Sequence, residues 1–405
     1  MLSTSKPPLT ATAPVPAQPT YILRGHAAQI HSVHFYSSNT RLATADASGW
    51  VILWSLHTRR ATAVWKAHEG SVLKVDGWDG KIITHGRDNK LFVWRVEEEG
   101  MDVLLPVEDE VRWRRSPWLV ASLDVNALNF CGFGGCAGAT AAAATGEGGY
   151  LVAVPAPLRA EDVGRFPCLG VGCVDVMRLP DGARVYAGVR HEGVKTGMAM
   201  SLSMFYSGEH LVLVAGYESG HAVVYKWDTK DTWKVVYTHK PHSQPILSLS
   251  VSPTPDTNPY FITSSADSVI AKHPLPILTT TPAPNTPDTP PPNEPIKVTD
   301  TRHYGQQSIT IRSDGRIFST AGWDSRIRVY SVKTMKELAV LKWHREGCYA
   351  VAFGEILDGG SGQEGGDGDG REVLSVEKRR EKKVKETHWV AGGAKDGKVS
   401  LWEIY

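Results

Sequence analysis

Short runs in which apolar and polar residues alternate recur along this chain, separated by turn-forming Gly, Asn, Asp and Ser. The first clear unit, LRGHAAQIHSVHFYSSNTRLATADASGWVILW over residues 23–54, places a Gly-His pair before alternating apolar residues, then a turn, then a short strand ending in tryptophan. Alternation with a period of two predicts half-buried β-strands. Residues 67–94, AHEGSVLKVDGWDGKIITHGRDNKLFVW, repeat the plan with the closing tryptophan 40 residues after the first. A period of about 40–45 residues is that of an array built from one four-stranded sheet per unit.

These units resemble the WD40 repeat. In that family a histidine before the first strand, a Ser or Thr on the second, an Asp in the following turn and a Trp on the third form a hydrogen-bonded tetrad, which residues 67–94 match with His68, Thr84, Asp88 and Trp94. A buried indole N–H and imidazole both need partners, and an aspartate holding a turn and a histidine together satisfies several donors at once. The spacing therefore encodes a fold and not a reaction. With the threonine ten and the aspartate six residues before the aromatic, FSTAGWDSRIRVY gives Thr320, Asp324 and Tyr330. WVAGGAKDGKVSLW gives Asp396 and Trp402, with His344 upstream and Gly392 where the hydroxyl is due. FITSSADSVIAKH gives Thr263 and Asp267, with His242 before it and His273 in place of tryptophan. The first unit supplies His26, Thr44 and Trp54, but Asp46 stands two residues early and Ser48 fills the aspartate slot. Two further units lack the aspartate and end at Tyr225 and near Val154. Strand-three ends at 54, 94, 154, 225, 273, 330 and 402 predict an all-β, seven-bladed propeller.

A propeller has edge strands to hide, and the last blade is commonly completed by the first strand. The chain opens with one strand-like piece, Thr20 to Gly25, and closes just after the third strand of the last unit. Strand Tyr21 to Leu23 is therefore expected to pair with Val399 to Trp402. Residues 1–19 are expected to be a flexible arm and residues 20–405 a single propeller. Loops are expected near 133–149 (Gly/Ala), 274–296 (Pro, Thr, Asn) and 355–387, the last interrupting the final blade between its first two strands.

Composition narrows the class further. With 44 basic against 43 acidic side chains, no global field steers the protein onto nucleic acid or an acidic membrane. The five cysteines form no CxxC pair and read as buried, reduced thiols. No apolar run approaches the roughly 20 residues needed to cross a bilayer. Glycines 132–138 lack the GK[ST] of a phosphate cradle, and Asp358 to Gly370 lacks the ligand order of a calcium loop, so both read as linker. His26, His68, His242 and His344 fill the pre-strand slot of the repeat, and no hydrolase, zincin, kinase or dinucleotide fingerprint occurs. The expectation is no catalysis, cofactor, metal or small-molecule ligand. Lys378, Arg379, Arg380, Lys382, Lys383 and Lys385 have the composition of a nuclear import signal, or of a solvated loop diluted by Glu377 and Glu381. Trp113, Trp118 and Trp233 are either partner contacts or packed beneath long loops.

Several stretches go beyond the generic repeat: LRGHAAQIHSVHF, VNALNFCGF, AGYESGHAVVYKW, HSQPILSLSVSP and STAGWDSRIRVYS. Together they resemble the fungal ASTRA-associated protein 1 family, a relative of G-protein β-subunit-like proteins, over residue 20 to the end. That resemblance implies a non-enzymatic scaffold in a nuclear assembly linked to chromatin remodelling and to maturation of phosphatidylinositol-3-kinase-like kinases. The implied partners are Tel/Tti-type cochaperone subunits, AAA+ ATPases and a very large pseudokinase. A Gβ-like signalling subunit is the alternative, disfavoured because a proline-rich arm stands where Gβ has coiled-coil heptads. A propeller-based enzyme is the third reading.

Overall fold

The computed structural model describes residues 17–107, 115–126, 130–138, 149–156, 172–228, 232–277, 293–357 and 375–404. Among these residues, twenty-eight strands form seven four-stranded antiparallel sheets. Blade one comprises β2 (Ile30–Tyr36), β3 (Arg41–Asp46), β4 (Trp50–Ser55) and β5 (Arg60–Lys66). Blade two comprises β6 (Val72–Trp78), β7 (Lys81–Gly86), β8 (Lys90–Arg95) and β9 (Trp118–Asp124). Blade three comprises β10 (Gly134–Ala137), β11 (Tyr150–Pro155), β12 (Val174–Leu179) and β13 (Arg184–Val189). Blade four follows as β14 (Ala199–Ser207), β15 (His210–Tyr217), β16 (Ala222–Asp228) and β17 (Thr232–His239), and blade five as β18 (Ile246–Val251), β19 (Tyr260–Ser265), β20 (Val269–Pro274) and β21 (Lys297–Asp300). Blade six is β22 (Gln306–Ile311), β23 (Ile317–Gly322), β24 (Arg326–Ser331) and β25 (Glu337–Lys342). Blade seven joins β26 (Cys348–Phe353), β27 (Trp389–Ala394) and β28 (Lys398–Glu403) to β1 (Tyr21–Arg24).

The core is divided among the seams between blades. Seven apolar clusters each straddle one pair of adjacent blades, and a closed ring of seven sheets has seven such seams. Second strands such as β3, β19 and β27 are buried on both faces, so they read as runs of Ala, Thr, Ser and Ile without alternation. The innermost strands are stitched by serine. Ser32 Oγ accepts from Val75 N, Ser248 Oγ from Ile309 N, and Ser250 Oγ from Ile311 N, while Ser201 Oγ donates to the Ile246 carbonyl. Each bond joins one blade's inner strand to the next.

Closure follows the expected register, with Tyr21 opposite Leu401, Ile22 opposite Ser400 and Leu23 opposite Val399. A strap from blade two reinforces it. Glu98 takes a bidentate pair from Arg41 at 2.8 Å, and the chain then runs to Leu105, packed on the seam cluster, and Val107, whose N–H donates to the Gly25 carbonyl.

Three sequence expectations need correction. The blade-three unit ending near Val154 is a second strand; the third is β12. The Gly/Ala loop expected from 133 begins as inner strand β10, where a Cβ on Gly134 would press within 3.0 Å of the Leu202 and Ser203 backbone. Glycine there permits close sheet approach and does not mark a loop. Within the loop expected at 355–387, residues Val376–Glu386 form helix α1, N-capped by Ser375, its Val384 buried and its Val384 carbonyl accepting from Trp389 Nε1 at 2.9 Å. Asn39, from a turn of blade one, bonds the Glu355 backbone and the Lys385 carbonyl and so clamps both ends of this insertion. Residues 1–16, and 278–292 of the 274–296 segment, lie outside the described residues, whereas Leu275 and Ile277 are buried in the seam between blades four and five.

Candidate interaction site at the channel mouth

The tetrad residues lie at the seams, with their aspartates at the end of the ring that carries the turns between second and third strands. In blade two, Trp94 Nε1 donates to Thr84 Oγ1 at 2.9 Å, Thr84 Oγ1 meets His68 Nε2 at 2.8 Å, and His68 Nδ1 lies 2.9 Å from Asp88. With the Nδ1 proton directed at the carboxylate, Nε2 accepts the hydroxyl proton, and the indole, hydroxyl and imidazole of this tetrad all have partners. Blade one has the same chain through Trp54, Thr44 and His26, but its carboxylate is Asp46, 2.7 Å from His26 Nδ1, and not the Ser48 slot. The cause is geometric: Asp46 ends β3 where blade two has Gly86, and a Cβ on Gly86 would collide with His68 and Asp88. The aspartate reaches the histidine from either position.

In blade five, His242 bridges Asp267 and Thr263, and Thr263 Oγ1 meets His273 Nε2 at 2.9 Å. His273 Nδ1 then meets Tyr237 OH on blade four, so the substitution for tryptophan carries the network across a seam. Blade seven lacks the second-strand hydroxyl at Gly392. Ser400, directly opposite on β28, supplies it, receiving Trp402 Nε1 at 2.8 Å and meeting His344 Nε2 at 2.9 Å, with Asp396 3.3 Å from His344 Nδ1. Blade six does not assemble a histidine tetrad. Asp324 pairs with Arg328 at 2.6 Å, Tyr330 stacks on Phe318, and Thr320 is buried in β23.

Burial pushes His85 down to about 3 and His273 well below its ordinary value, and it lowers His31, His191 and His221 as well. Burial alone would raise the carboxyls of Asp88, Asp267 and Asp396, but hydrogen bonds from their histidines and from backbone N–H groups outweigh it and hold them low. Histidines that stay neutral when folded take up protons when unfolded below about pH 6.5, so stability falls as pH drops through that value. The carboxylates add a second loss below about pH 4. The melting temperature is expected to decline between pH 7 and pH 5, before any carboxylate titrates. A flat melting temperature over that window would contradict this assignment of buried neutral histidines.

The surface beside the tetrads is shaped by a bulge repeated near the start of six inner strands. The pairing register slips at His31, Leu73, Met200, Leu247, Gln307 and Tyr349. A bulge re-aims its side chain, and these six line the central channel. At its mouth a cavity of about 340 Å³ is bounded by His31, Leu73 and Tyr349, together with Arg87, Phe130 and Trp323 from the connecting turns. Trp323 is 47% and Phe130 44% exposed. Arg87 lies over the Phe130 ring at 5.0 Å, His31 meets Tyr349 edge to face, and Trp323 Nε1 donates to Gln307. Arg, Trp and Tyr held rigidly around a concavity are the residue types that dominate protein interfaces. Sequence reasoning missed this cluster because its members come from five blades. Trp118, 72% exposed, stands on outer strand β9, while Trp233 packs on Tyr186 and Trp227, and Trp113 lies outside the described residues. Among the described residues no three His, Cys, Asp or Glu side chains converge as metal ligands.

Residues 17–55 match the family model described as WD domain, G-beta repeat. Over nearly its whole length the chain is similar to proteins named ASTRA-associated protein 1. It is 41% identical to that of Aspergillus flavus, over 96% of this chain and 98% of the relative. It is 42% identical to that of Verticillium alfalfae, over 97% and 94%, and 30% identical to that of Schizosaccharomyces pombe, over 96% and 99%.

Proposed function

The chain belongs to the ASTRA-associated protein 1 family, and from that premise we propose that it is a non-catalytic scaffold subunit of an ASTRA-type assembly, holding a partner protein at the channel mouth. The observation that carries this reading is the half-exposed cluster of Trp323, Phe130, Arg87 and Tyr349 on a rigid ring. Trp323, Arg87 and His31 each touch a neighbouring side chain of the cluster, so less binding energy goes to ordering the surface. The finer reading places the protein in the nucleus, with Tel/Tti-type cochaperone subunits, AAA+ ATPases and a large pseudokinase as partners and with kinase maturation and chromatin remodelling as the processes served. Lys378, Arg379, Arg380, Lys382, Lys383 and Lys385 on α1 are its import signal.

Affinity purification of the tagged chain from nuclear extract, read by mass spectrometry, tests this. The wild type is expected to recover ATPase and cochaperone subunits, and Trp323→Ala with Arg87→Ala to reduce at least one of them about tenfold or more, as for hot-spot truncations. Unchanged recovery removes the mouth as the binding surface. Recovery dominated by small Gγ-like subunits replaces the scaffold reading with the signalling one.

A further inference from the structure

Along the outer edge of the ring, a groove lies between β1, the outer strand of blade seven, and blade one. Its cavity of about 570 Å³ has an apolar floor of Leu23, Trp54 and Leu105 and a rim of Arg24, Arg59 and Arg60. Leu23 and Trp54 are buried, whereas the three arginines are exposed and pair with no carboxylate among the described residues. Arg59 lies over the Tyr21 ring at 5.0 Å, which sets one wall of the groove. Helix α1 stands beside it, its Glu377 4.0 Å from His57, two residues before Arg59. Lys378, Arg379, Arg380, Lys383 and Lys385 are exposed along α1 without an ion pair among the described residues, whereas Lys382 pairs with Glu386. A chain of net charge +1 thus gathers in one sector, next to an apolar slot, a row of cations without an ion pair among the described residues, and they outnumber Glu377, Glu381 and Glu386 of the same helix.

From this juxtaposition we infer that the groove and α1 together dock an acidic, apolar-containing peptide segment of a partner protein. The apolar floor decides the class. A phosphate backbone or a lipid headgroup layer would use the cations and leave the slot empty, whereas a segment of Asp and Glu interspersed with Leu or Phe uses both. The arginines are suited to the rim because a guanidinium pairs with carboxylates in a bidentate fork while its stem lies on apolar surface. This surface shares no lining residue with the channel mouth, which inner strands shape, and stands or falls independently of it.

Fluorescence anisotropy on the full chain tests the inference, with a labelled synthetic peptide that alternates Asp and Glu with Leu and Phe as the probe. Poly-glutamate, a DNA duplex and phosphatidylserine-containing vesicles are the comparators. The peptide is expected to bind more tightly than each of them. Arg59→Glu with Arg60→Glu, and separately Lys383→Glu with Lys385→Glu, should each weaken it about tenfold or more, as for reversed interface charges. The reversal of Lys195 and Lys240, on the far side of the ring, should leave it unchanged. Melting curves establish that each variant is folded, and should one reversal unfold the chain, the other decides. Absence of peptide binding, equal binding of poly-glutamate, tighter binding of DNA or vesicles, or an unchanged affinity in a folded reversal variant would overturn the proposal.

Discussion

Removing residues 1–25 is expected to abolish cooperative folding of the whole ring, not to trim an edge. The deletion takes β1, with its ladder to β28 and Leu23, which is 1% exposed in the blade-seven seam. Burial of one leucine contributes about 2–3 kcal/mol and each ladder hydrogen bond about 1 kcal/mol. The strap loses its anchor as well, because Val107 N donates to the Gly25 carbonyl. These losses are comparable with the roughly 5–15 kcal/mol that holds a typical fold together, and the bared edge of β28 invites aggregation. The expected result is insoluble protein, or a melting curve without a sharp transition. Excising residues 281–291 is the matched control and should leave the melting temperature nearly unchanged. The excision spares Asn293, whose carbonyl meets His239 Nδ1 at 2.8 Å. Equal effects of the two deletions would disprove closure by the first strand.

Thr84→Val should be the most damaging single exchange of similar volume. The hydroxyl accepts from Trp94 Nε1 and donates to His68 Nε2, and all three side chains are buried. Valine fills the space but leaves an indole N–H and an imidazole nitrogen unpaired, at about 1–3 kcal/mol each. A loss of about 2–5 kcal/mol is expected in chemical denaturation, whereas Thr84→Ser should lose about 1 kcal/mol, that of a buried methyl group. Ser400→Ala should behave as Thr84→Val does, because Ser400 holds the same place between Trp402 and His344. If Thr84→Val and Thr84→Ser unfold at the same denaturant concentration, the hydroxyl is not the hub of the network.

Much of this architecture was legible because the tetrad imposes fixed spacing. The Thr84–Trp94 separation recurs as Thr44–Trp54 and Thr263–His273, each pair joined by one hydrogen bond. Where a different atom does the same work, spacing is blind. Asp46 and Asp88 reach their histidines from backbone positions two residues apart, and Ser400 replaces a hydroxyl missing from the opposite strand. Blade three was misread because glycine marks both loops and close sheet approach, and only the neighbouring backbone at Gly134 separates the two. Helix α1 was hidden by charge: a single buried Val384 docks it, too little to produce an apolar stripe. The channel mouth was invisible because its residues are distant in sequence and meet only once the ring is closed.

The pairing of β1 with β28 also sets the order in which the molecule can be made. On the ribosome β1 emerges before the other described strands, yet its ladder partner among them, β28, emerges last. Until β28 is made, blade seven has only β26 and β27 beside blade six, and β1 has no ladder to join. The contact that seals the ring has the greatest sequence separation of any strand pair among the described residues, and such contacts carry the largest loop-closure cost. Completion of blade seven therefore has to wait for the last of the described strands.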